Sequence, residues 1–420
     1  MVESNSLLGI KYLKDEYFRR GEQDCLLTRS LWFKALNEEL EQWNDEKYMN
    51  FFPRINRLKL EISYKLLKLG SKIYNSSKNR KIMWIGELSN KDFLYESQPY
   101  NLIISDMRLS LNALIKLLFT KNISLDPIYP CYNSLNSGIV NEDEELLQNG
   151  LDILKNTLNA INPDLIVLNN DVFPINRAVI LVARELGIPT VEIQHGIYVR
   201  NFTPTGREVD YVFVWGNRFK EFYVENKIKK SNQVKILGYP YPIQKCGSAN
   251  NERMLVTYIG QNYEVYNESL LSTKLKTLKG INEICNRLNL DFVYRPHPGD
   301  HLDLLKPELE NVAFTSPDET LHETFKKGDI FISYDSTALV EASLHSKLSI
   351  QLKSYDLATD NFENLGACSK TIENFEELEK YLKQVKNGEL SSFYRPVKES
   401  YIEIPQDIGK KFWELIKEII

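Results

Sequence analysis

The chain is poor in cysteine, and its cysteines form no pattern. It has five in 420 residues: Cys25, Cys131, Cys246, Cys285 and Cys368. None belongs to a C-x-x-C pair, and no His, Cys and Asp residues fall at the spacings typical of metal ligands. The sequence therefore predicts free thiols in a reducing compartment, with neither a disulfide framework nor a metal site.

Long apolar runs are also absent. No stretch approaches the roughly twenty apolar residues that span a bilayer. Glu3, Asp15 and Glu16 lie where a secretory signal needs an uninterrupted apolar core. We therefore expect a cytoplasmic protein, with any attachment to the inner membrane being peripheral.

An excess of positive charge is missing as well. The formal charge is −5, whereas nucleic-acid-binding proteins carry a basic surplus, so no nucleic-acid partner is expected. The exception is the segment 54–81, which has nine basic residues against Glu61 alone. Its apolar residues recur at helical spacing. The segment is either a surface helix that packs on its apolar stripe, or a surface for anionic lipid or for the pyrophosphate of a lipid-linked acceptor.

The composition that remains is that of a folded protein of two domains. Hydrophobic residues make up 43% of the chain, and its length exceeds that of one ordinary core. Residues 1–80 are predicted to form a helical N-terminal segment of the first domain, with an amphipathic stretch at 31–48. Beyond it, short β-rich runs alternate with helical ones, which predicts two Rossmann-like α/β domains at 81–240 and 253–395 and a C-terminal helix within 396–420 that packs back on them. The prolines at 240 and 242 and the polar run 247–252 mark the linker.

The predicted strands show where to look for a site. They cover 81–86, 101–105, 164–168, 190–193, 211–214 and 234–237 in the first domain, and 254–259, 291–294 and 330–333 in the second. Ligands of open parallel sheets lie beyond the carboxyl ends of the strands, so the residues that follow each strand are the candidates.

Two groups of candidates follow strands of the second domain. Arg295 and His297, in an R-P-H-P turn, offer a guanidinium and an imidazole suited to phosphate oxygens. Ser336 and Thr337 open a helix, whose N-terminus favours phosphate, and Glu341 lies one turn further in, where a carboxylate can accept from ribose hydroxyls. Each residue also fits a structural role. Arg295 and His297 could donate to nearby backbone carbonyls, and the hydroxyls of Ser336 and Thr337 could cap the helix.

In the first domain the candidates are His195 and two aspartates. His195 follows a strand within Gln194-His195-Gly196 and is suited to proton transfer near neutral pH. Asp171 and Asp106 follow two other strands, and Asp171 is the preferred one. Each of the three also fits a structural role at a strand end.

These motifs together resemble a known group. From about residue 164 to residue 352 the chain resembles the bacterial GT-B glycosyltransferases of capsule, lipopolysaccharide and teichoic-acid assembly, which include the CMP-Kdo, CMP-sialic acid and CDP-glycerol polymer transferases. The resemblance implies two Rossmann-like domains that face a cleft, with the nucleotide held by the second. It assigns phosphate contacts to Arg295, His297, Ser336 and Thr337, and a ribose contact to Glu341.

The resemblance also implies the catalytic residues. His195 matches the histidine treated as the base in glycerophosphate transferases, although those enzymes have Trp where this chain has Gln194. Sialyl- and Kdo-type enzymes use a first-domain aspartate, which implies Asp171. A D-x-D motif is absent from the strand ends, so we expect no metal and no cofactor besides the nucleotide-sugar itself.

The sequence thus predicts transfer of a sugar, best matched by a CMP-linked acidic sugar, to a surface glycan or its lipid-linked precursor. Two alternatives share this architecture: a nucleotide-sugar 2-epimerase, which consumes no acceptor, and a CDP-polyol phosphotransferase. An inactive scaffold is a third, against which the presence of His195, His297, Ser336 and Glu341 argues.

Overall fold

A computed structural model describes residues 80–86, 99–105, 123–125, 131, 134–135, 138, 143–171, 174–197, 205–247, 251–266, 269–300, 302–357 and 359–420. The predicted helix at 31–48, almost all of the basic segment 54–81, and Asp106 lie outside these residues, so what the sequence indicates for them stays a prediction.

The first half is built on a seven-stranded sheet. Its strands are β1 (Lys81–Ile85), β2 (Asn101–Ser105), β3 (Ile123–Leu125), β4 (Leu165–Leu168), β5 (Thr190–Ile193), β6 (Tyr211–Val214) and β7 (Val234–Ile236). All neighbours pair in parallel, in the order β3-β2-β1-β4-β5-β6-β7. Strands β2, β4 and β5 are buried at every position, as expected for a parallel sheet covered on both faces.

Helices cover this sheet and connect its strands. They are α1 (Glu144–Ile161), α2 (Pro174–Leu186) and α3 (Asn217–Glu225). Asp143 caps α1, since its side chain accepts from Leu146 N. Helix α1 buries Leu147, Leu154, Leu158 and Ile161 at helical spacing, which packs it into the core of the first half.

The second half repeats the plan with six strands. They are β8 (Leu255–Ile259), β9 (Asp291–Arg295), β10 (Ala313–Phe314), β11 (Ile330–Ser333), β12 (Leu348–Leu352) and β13 (Lys370–Ile372), parallel throughout in the order β10-β9-β8-β11-β12-β13. Its helices are α4 (Tyr263–Tyr266), α5 (Leu270–Arg287), α6 (Leu302–Leu305), α7 (Leu321–Lys327), α8 (Thr337–Leu344), α9 (Phe362–Leu365), α10 (Phe375–Asn387) and α11 (Leu390–Phe393).

The C-terminal segment returns to the first sheet. Glu403 N donates to Trp215 O, and Tyr239 N donates to Glu403 O. The last helix, α12 (Ile408–Ile419), then buries Phe412, Trp413 and Ile416 against β1, β2, β4, β5 and β6. This helix covers one face of the first sheet and completes its core.

The predicted fold class is confirmed: the molecule contains two parallel α/β sheets. In each sheet the strand order reverses once, between β1 and β4 and between β8 and β11. Such a reversal opens a crevice at the carboxyl ends of the strands, which is where ligands of this architecture bind. Among the described residues, no helix is long and apolar enough to cross a membrane.

Candidate functional site

The carboxyl ends of the two sheets meet at the loop that follows β5. Ile197 N donates to Thr337 Oγ1 at 3.1 Å. A Cβ added at Gly196 would lie 3.2 Å from the same oxygen, so a larger residue there would crowd the contact. The Q-H-G motif of the first half and the S-T motif of the second, which are far apart in the sequence, therefore lie at one place.

Gln194 fixes the loop that carries His195. Its side-chain oxygen accepts from Trp215 N and its side-chain nitrogen donates to Gly196 O, both at 2.8 Å. Its backbone oxygen accepts from Trp215 Nε1 at 2.8 Å. Gln194 is fully buried while His195 is exposed. The glutamine thus holds the turn rigidly and leaves the imidazole at the surface where the two sheets meet.

Ser336 and Thr337 begin α8 at this contact. Ser336 Oγ accepts from Ala338 N at 3.2 Å and caps the helix. The first N–H groups of a helix have no intrahelical partner and carry partial positive charge. The start of α8 therefore offers donors and a favourable field to an anion such as a phosphate.

Glu341, on the second turn of α8, is joined to the first half. Tyr239, which follows β7, donates its hydroxyl to Glu341 Oε1 at 2.7 Å. Its ring lies edge-on to Trp215 and Tyr241, at centroid distances of 5.1 and 5.3 Å. Burial raises the pKa of Glu341 to about 7, and the hydrogen bond from Tyr239 opposes that shift. The carboxyl therefore exchanges its proton near neutral pH.

His297 lies in a closed turn after β9. Its Nδ1 accepts from Gly299 N at 3.0 Å, and the backbone of the turn is closed by Asp300 N donating to His297 O at 2.9 Å. A neutral imidazole whose Nδ1 accepts carries its proton on Nε2. Desolvation lowers the pKa of His297, against the attraction of Asp300. The neutral ring thus presents an Nε2–H donor suited to a phosphate oxygen.

A buried ion cluster supports this turn from behind. Lys274 Nζ on α5 lies 2.6 Å from Asp300 Oδ1 and 2.6 Å from Glu264 Oε1. Asp300 Oδ2 accepts from His297 N at 2.9 Å and from the hydroxyl of Tyr294. The Lys274 and Asp300 side chains are fully buried. The position of His297 therefore depends on charged side chains that are buried in the protein.

The loops after β8 and β11 are tied together at the crevice of the second sheet. Gln261 Oε1 accepts from Asp335 N at 3.2 Å, and its Nε2 donates to Asp335 Oδ1. A Cβ added at Gly299 would lie 2.7 Å from Asn262 Nδ2, so the β8 loop also contacts the His297 turn. The β8 loop thus approaches both groups of phosphate candidates, that after β11 through Gln261 and that after β9 through Asn262.

Arg295 is used within the protein. Its Nη1 donates to Glu319 O at 3.0 Å and to Thr324 Oγ1 at 2.6 Å. Desolvation lowers the pKa of Arg295, against the attraction of Glu319 and Glu323. These contacts hold α7 against the end of β9. A phosphate contact by Arg295 stays a prediction.

Asp171 is also committed to protein contacts. Its Oδ1 accepts from Gly206 N at 2.8 Å and its Oδ2 from Glu208 N at 2.7 Å, and the residue is 1% exposed. Burial raises its pKa, opposed by those two backbone hydrogen bonds. Asp171 is thus placed to hold the segment before β6, and a direct part in chemistry stays a prediction.

The structure adds three residues that the sequence reasoning missed: Tyr239, Gln261 and Lys274. Gln261 follows a predicted strand, so the same strand-end argument could have found it. Tyr239 lies next to the prolines that mark the linker, so the sequence gives no reason to select it. Lys274 is one of several lysines on a predicted helix. Only their tertiary partners reveal a role.

No protein-family model matches the chain, and no curated protein does. Several solved structures share its fold. The MnaA–UDP structure of S. aureus is 13% identical, with a TM-score of 0.56 over 81% of this chain and 96% of that one. The UDP-GlcNAc 2-epimerase of Methanocaldococcus jannaschii, in complex with UDP-GlcNAc and UDP, is 14% identical, with a TM-score of 0.53 over 81% and 99%.

The UDP-GlcNAc 2-epimerase of Neisseria meningitidis, bound to UDP-GlcNAc, is 15% identical, with a TM-score of 0.52 over 81% of this chain and all 100% of that one. Together with the two parallel sheets and their crevices, these similarities establish a fold of the GT-B type for this chain.

Proposed function

We propose that the protein binds a UDP-linked sugar between its two sheets and inverts its configuration at C2. The observation that carries the proposal is the meeting of the Q-H-G loop with the start of α8, through Ile197 N and Thr337 Oγ1. His195 is exposed and lies two residues before Ile197, and Thr337 begins a helix whose N-terminus is suited to phosphate. Fold alone does not fix an activity, so the residues at this contact carry the argument.

Uridine is favoured over cytidine by the nature of the similar structures. The S. aureus, M. jannaschii and N. meningitidis structures hold UDP, UDP-GlcNAc or both. In this chain the diphosphate would lie against the Nε2–H of His297 and the first turn of α8. Glu341 would accept from a ribose hydroxyl, with Tyr239 holding the carboxyl in place.

Inversion at C2 requires the C2–H bond to break on one face and a new C–H bond to form on the other. The step balances if the electron pair of the broken bond forms a C1–C2 double bond while the C1–O bond to UDP breaks, and if UDP then adds back at C1 as C2 takes up a proton. A group that titrates near neutral pH is suited to such proton transfer. We assign removal of the first proton to His195, which is exposed and lies two residues before Ile197. The proton that forms the new C–H bond on the opposite face comes from solvent.

Sugar transfer is the second candidate. It is supported by the same exposed His195, which is equally suited to deprotonate an acceptor hydroxyl, and by the motif resemblance to the CMP-sugar and CDP-glycerol transferases. The two functions differ in stoichiometry, because an epimerase needs no acceptor and releases no net nucleotide.

Incubation with UDP-GlcNAc in D₂O, without acceptor, separates the two. Epimerisation predicts a second UDP-sugar, inverted at C2, with deuterium at that carbon by NMR. His195→Ala should slow deuterium incorporation at least tenfold, while UDP affinity changes little. An undeuterated substrate after long incubation, with turnover restored by CMP- or CDP-linked donors and a glycan acceptor, would replace epimerisation by transfer.

A further inference from the structure

Three metal-ligating side chains meet away from the site described above. They are Cys246 in the linker, His322 on the first turn of α7 and His345 at the C-terminal end of α8. One potential ligand atom from each lies within 4.8 Å of the others. The chain has five histidines in all, and two of them are here beside a cysteine.

The hydrogen bonds of His345 orient it as metal ligands are usually oriented. Its Nδ1 lies 2.6 Å from Gln244 O. A carbonyl oxygen only accepts, so Nδ1 carries the hydrogen and Nε2 carries the lone pair. Metal-binding histidines usually donate their other ring N–H to a carbonyl or carboxylate in this way, which fixes the tautomer.

His322 has a buried ring nitrogen that needs a partner. Among the described residues and their hydrogen bonds, His322 Nε2 is buried and has no hydrogen-bond partner. Its ring lies 5.5 Å from that of His345, centroid to centroid. A buried polar atom left without a partner costs free energy. A metal ion bound to Nε2 would remove that cost.

The backbone on both sides of the Cys246 sulfur is held by hydrogen bonds. Cys246 N donates to His345 O at 3.0 Å, which ties the linker to the end of α8. Lys347 Nζ donates to Gly247 O, next to the cysteine, at 2.7 Å. The linker is thus held in place on two sides of the sulfur.

We propose that Cys246, His322 and His345 bind a zinc-type divalent ion that fastens the linker to α8. One sulfur and two imidazole nitrogens are the donor set that zinc prefers. Ligand atoms around a tetrahedral zinc lie roughly 3.3–3.6 Å apart, given bond lengths of about 2.0 Å to nitrogen and 2.3 Å to sulfur. The three ligand atoms now lie within 4.8 Å of one another. Side-chain rotations that move each atom by about 1 Å would bring them to tetrahedral distances.

Three protein ligands leave the fourth position to water. The ion would lie at the opposite end of α8 from Ser336 and Thr337, so it would hold the helix without touching the nucleotide-sugar site. Sequence spacing could not reveal this site, because its three ligands come from a linker, a helix start and a helix end that only the fold assembles.

The test uses the full-length protein without a histidine tag, stripped with chelator and titrated with Co²⁺. One equivalent should bind and give both the thiolate-to-cobalt charge-transfer band and intense tetrahedral d–d bands. Cys246→Ser should abolish the charge-transfer band, and His322→Ala and His345→Ala should each weaken binding at least tenfold. Cys285→Ala and His297→Gln, which alter a cysteine and a histidine outside the cluster, should leave the titration unchanged.

A second measurement needs no variant. Zn²⁺ at a hundred times its dissociation constant should raise Tm by about 3 °C. It should also protect Cys246 from alkylation by iodoacetamide, as read by peptide mass spectrometry. A wild-type protein that binds no Co²⁺, or one in which Zn²⁺ leaves alkylation of Cys246 unchanged, overturns the proposal. So does a folded Cys246→Ser variant that keeps the charge-transfer band.

Discussion

At the scale of single residues, the ionisation of Glu341 makes the stability of the folded protein depend on pH. Its pKa is about 7 in the folded protein, against 4.5 for an ordinary glutamate, because burial disfavours the charge. Below pH 4.5 the residue is protonated in the folded and unfolded states alike. Between pH 4.5 and 7 the unfolded state loses the proton while the folded state keeps it, so stability falls as pH rises through that window.

We expect Glu341→Gln to flatten this part of the stability profile. The wild-type protein should lose up to about 3 kcal/mol between pH 4.5 and 7 through this group, because one pKa unit corresponds to ~1.4 kcal/mol. Urea unfolding at several pH values measures the slope, with the exposed Glu399→Gln as the matched control. Equal slopes in wild type and Glu341→Gln would show that the carboxyl is not held as described.

His297 provides a residue-scale test of nucleotide binding. Loss of its Nε2–H donor in His297→Ala should weaken UDP binding about tenfold or more, since a hydrogen bond to a charged group contributes about 1.5–3 kcal/mol. His297→Gln, which keeps a donor, should recover part of the loss. Isothermal titration calorimetry with UDP measures both. Equal affinities in the wild type and His297→Ala would remove this residue from the phosphate site.

The sequence predicts candidate loops at strand ends but not the direction of every side chain. The loop of His195, the helix start at Ser336 and Thr337, and Glu341 lie where the two sheets meet, while the functional roles of these residues stay predictions. Arg295 has the same position relative to its strand, yet it bonds to the start of α7. Strand ends are visible in a sequence, whereas the competition of protein acceptors for a guanidinium is decided by tertiary structure.

At the scale of elements, the Lys274 cluster connects α4, α5 and the His297 turn. Lys274→Met should destabilise the protein by about 3–5 kcal/mol, because it leaves the carboxylates of Glu264 and Asp300 buried without their cation. It should also weaken UDP binding, since the His297 turn loses its support. The matched control is Lys279→Met on the same helix, whose half-exposed pair with Glu308 should contribute less than about 1 kcal/mol.

Urea unfolding and UDP titration together test that role. A Lys274→Met protein that is destabilised but binds UDP normally would limit the cluster to stability. The triple variant Lys274→Met, Glu264→Gln, Asp300→Asn removes the unpaired charges, so it should be more stable than the single one while UDP binding stays weak.

Elements with a simple pattern were predicted well, and those with polar residues in the core were not. The strands of the first half other than β3, which has only three residues and was not predicted, and the strand Ile330–Ser333 follow from their apolar runs. Strand β12 was missed because Ser349 and Gln351 interrupt its sequence, although both are fully buried. Gln351 Oε1 accepts from Phe362 N and from Thr371 Oγ1. These hydrogen-bond partners come from later parts of the chain, so the local sequence pattern does not predict that Gln351 is buried in a strand.

At the scale of the whole molecule, the relation between the two sheets decides what the site can bind. Two α/β domains were predicted from alternation of strands and helices, but not which loops would touch. The structure joins them by Tyr239 with Glu341 and Ile197 with Thr337. A ligand that bridges the sheets adds contacts to both. It therefore stabilises the folded protein by a free energy that grows with the logarithm of its concentration divided by its dissociation constant.

A panel of nucleotides measures that stabilisation and identifies the base at the same time. At a hundred times its dissociation constant a nucleotide contributes about 2.7 kcal/mol, which for a chain of this size raises Tm by about 3 °C. We expect UDP to give the largest rise among UDP, CMP, CDP and GDP, and His297→Ala to reduce it. A larger rise with CMP or CDP would instead favour the transferase candidate with a cytidine-linked donor. If none of the four raised Tm, the meeting point of Q-H-G and α8 would not be a nucleotide site, because no ligand that bridges both sheets can bind without stabilising them.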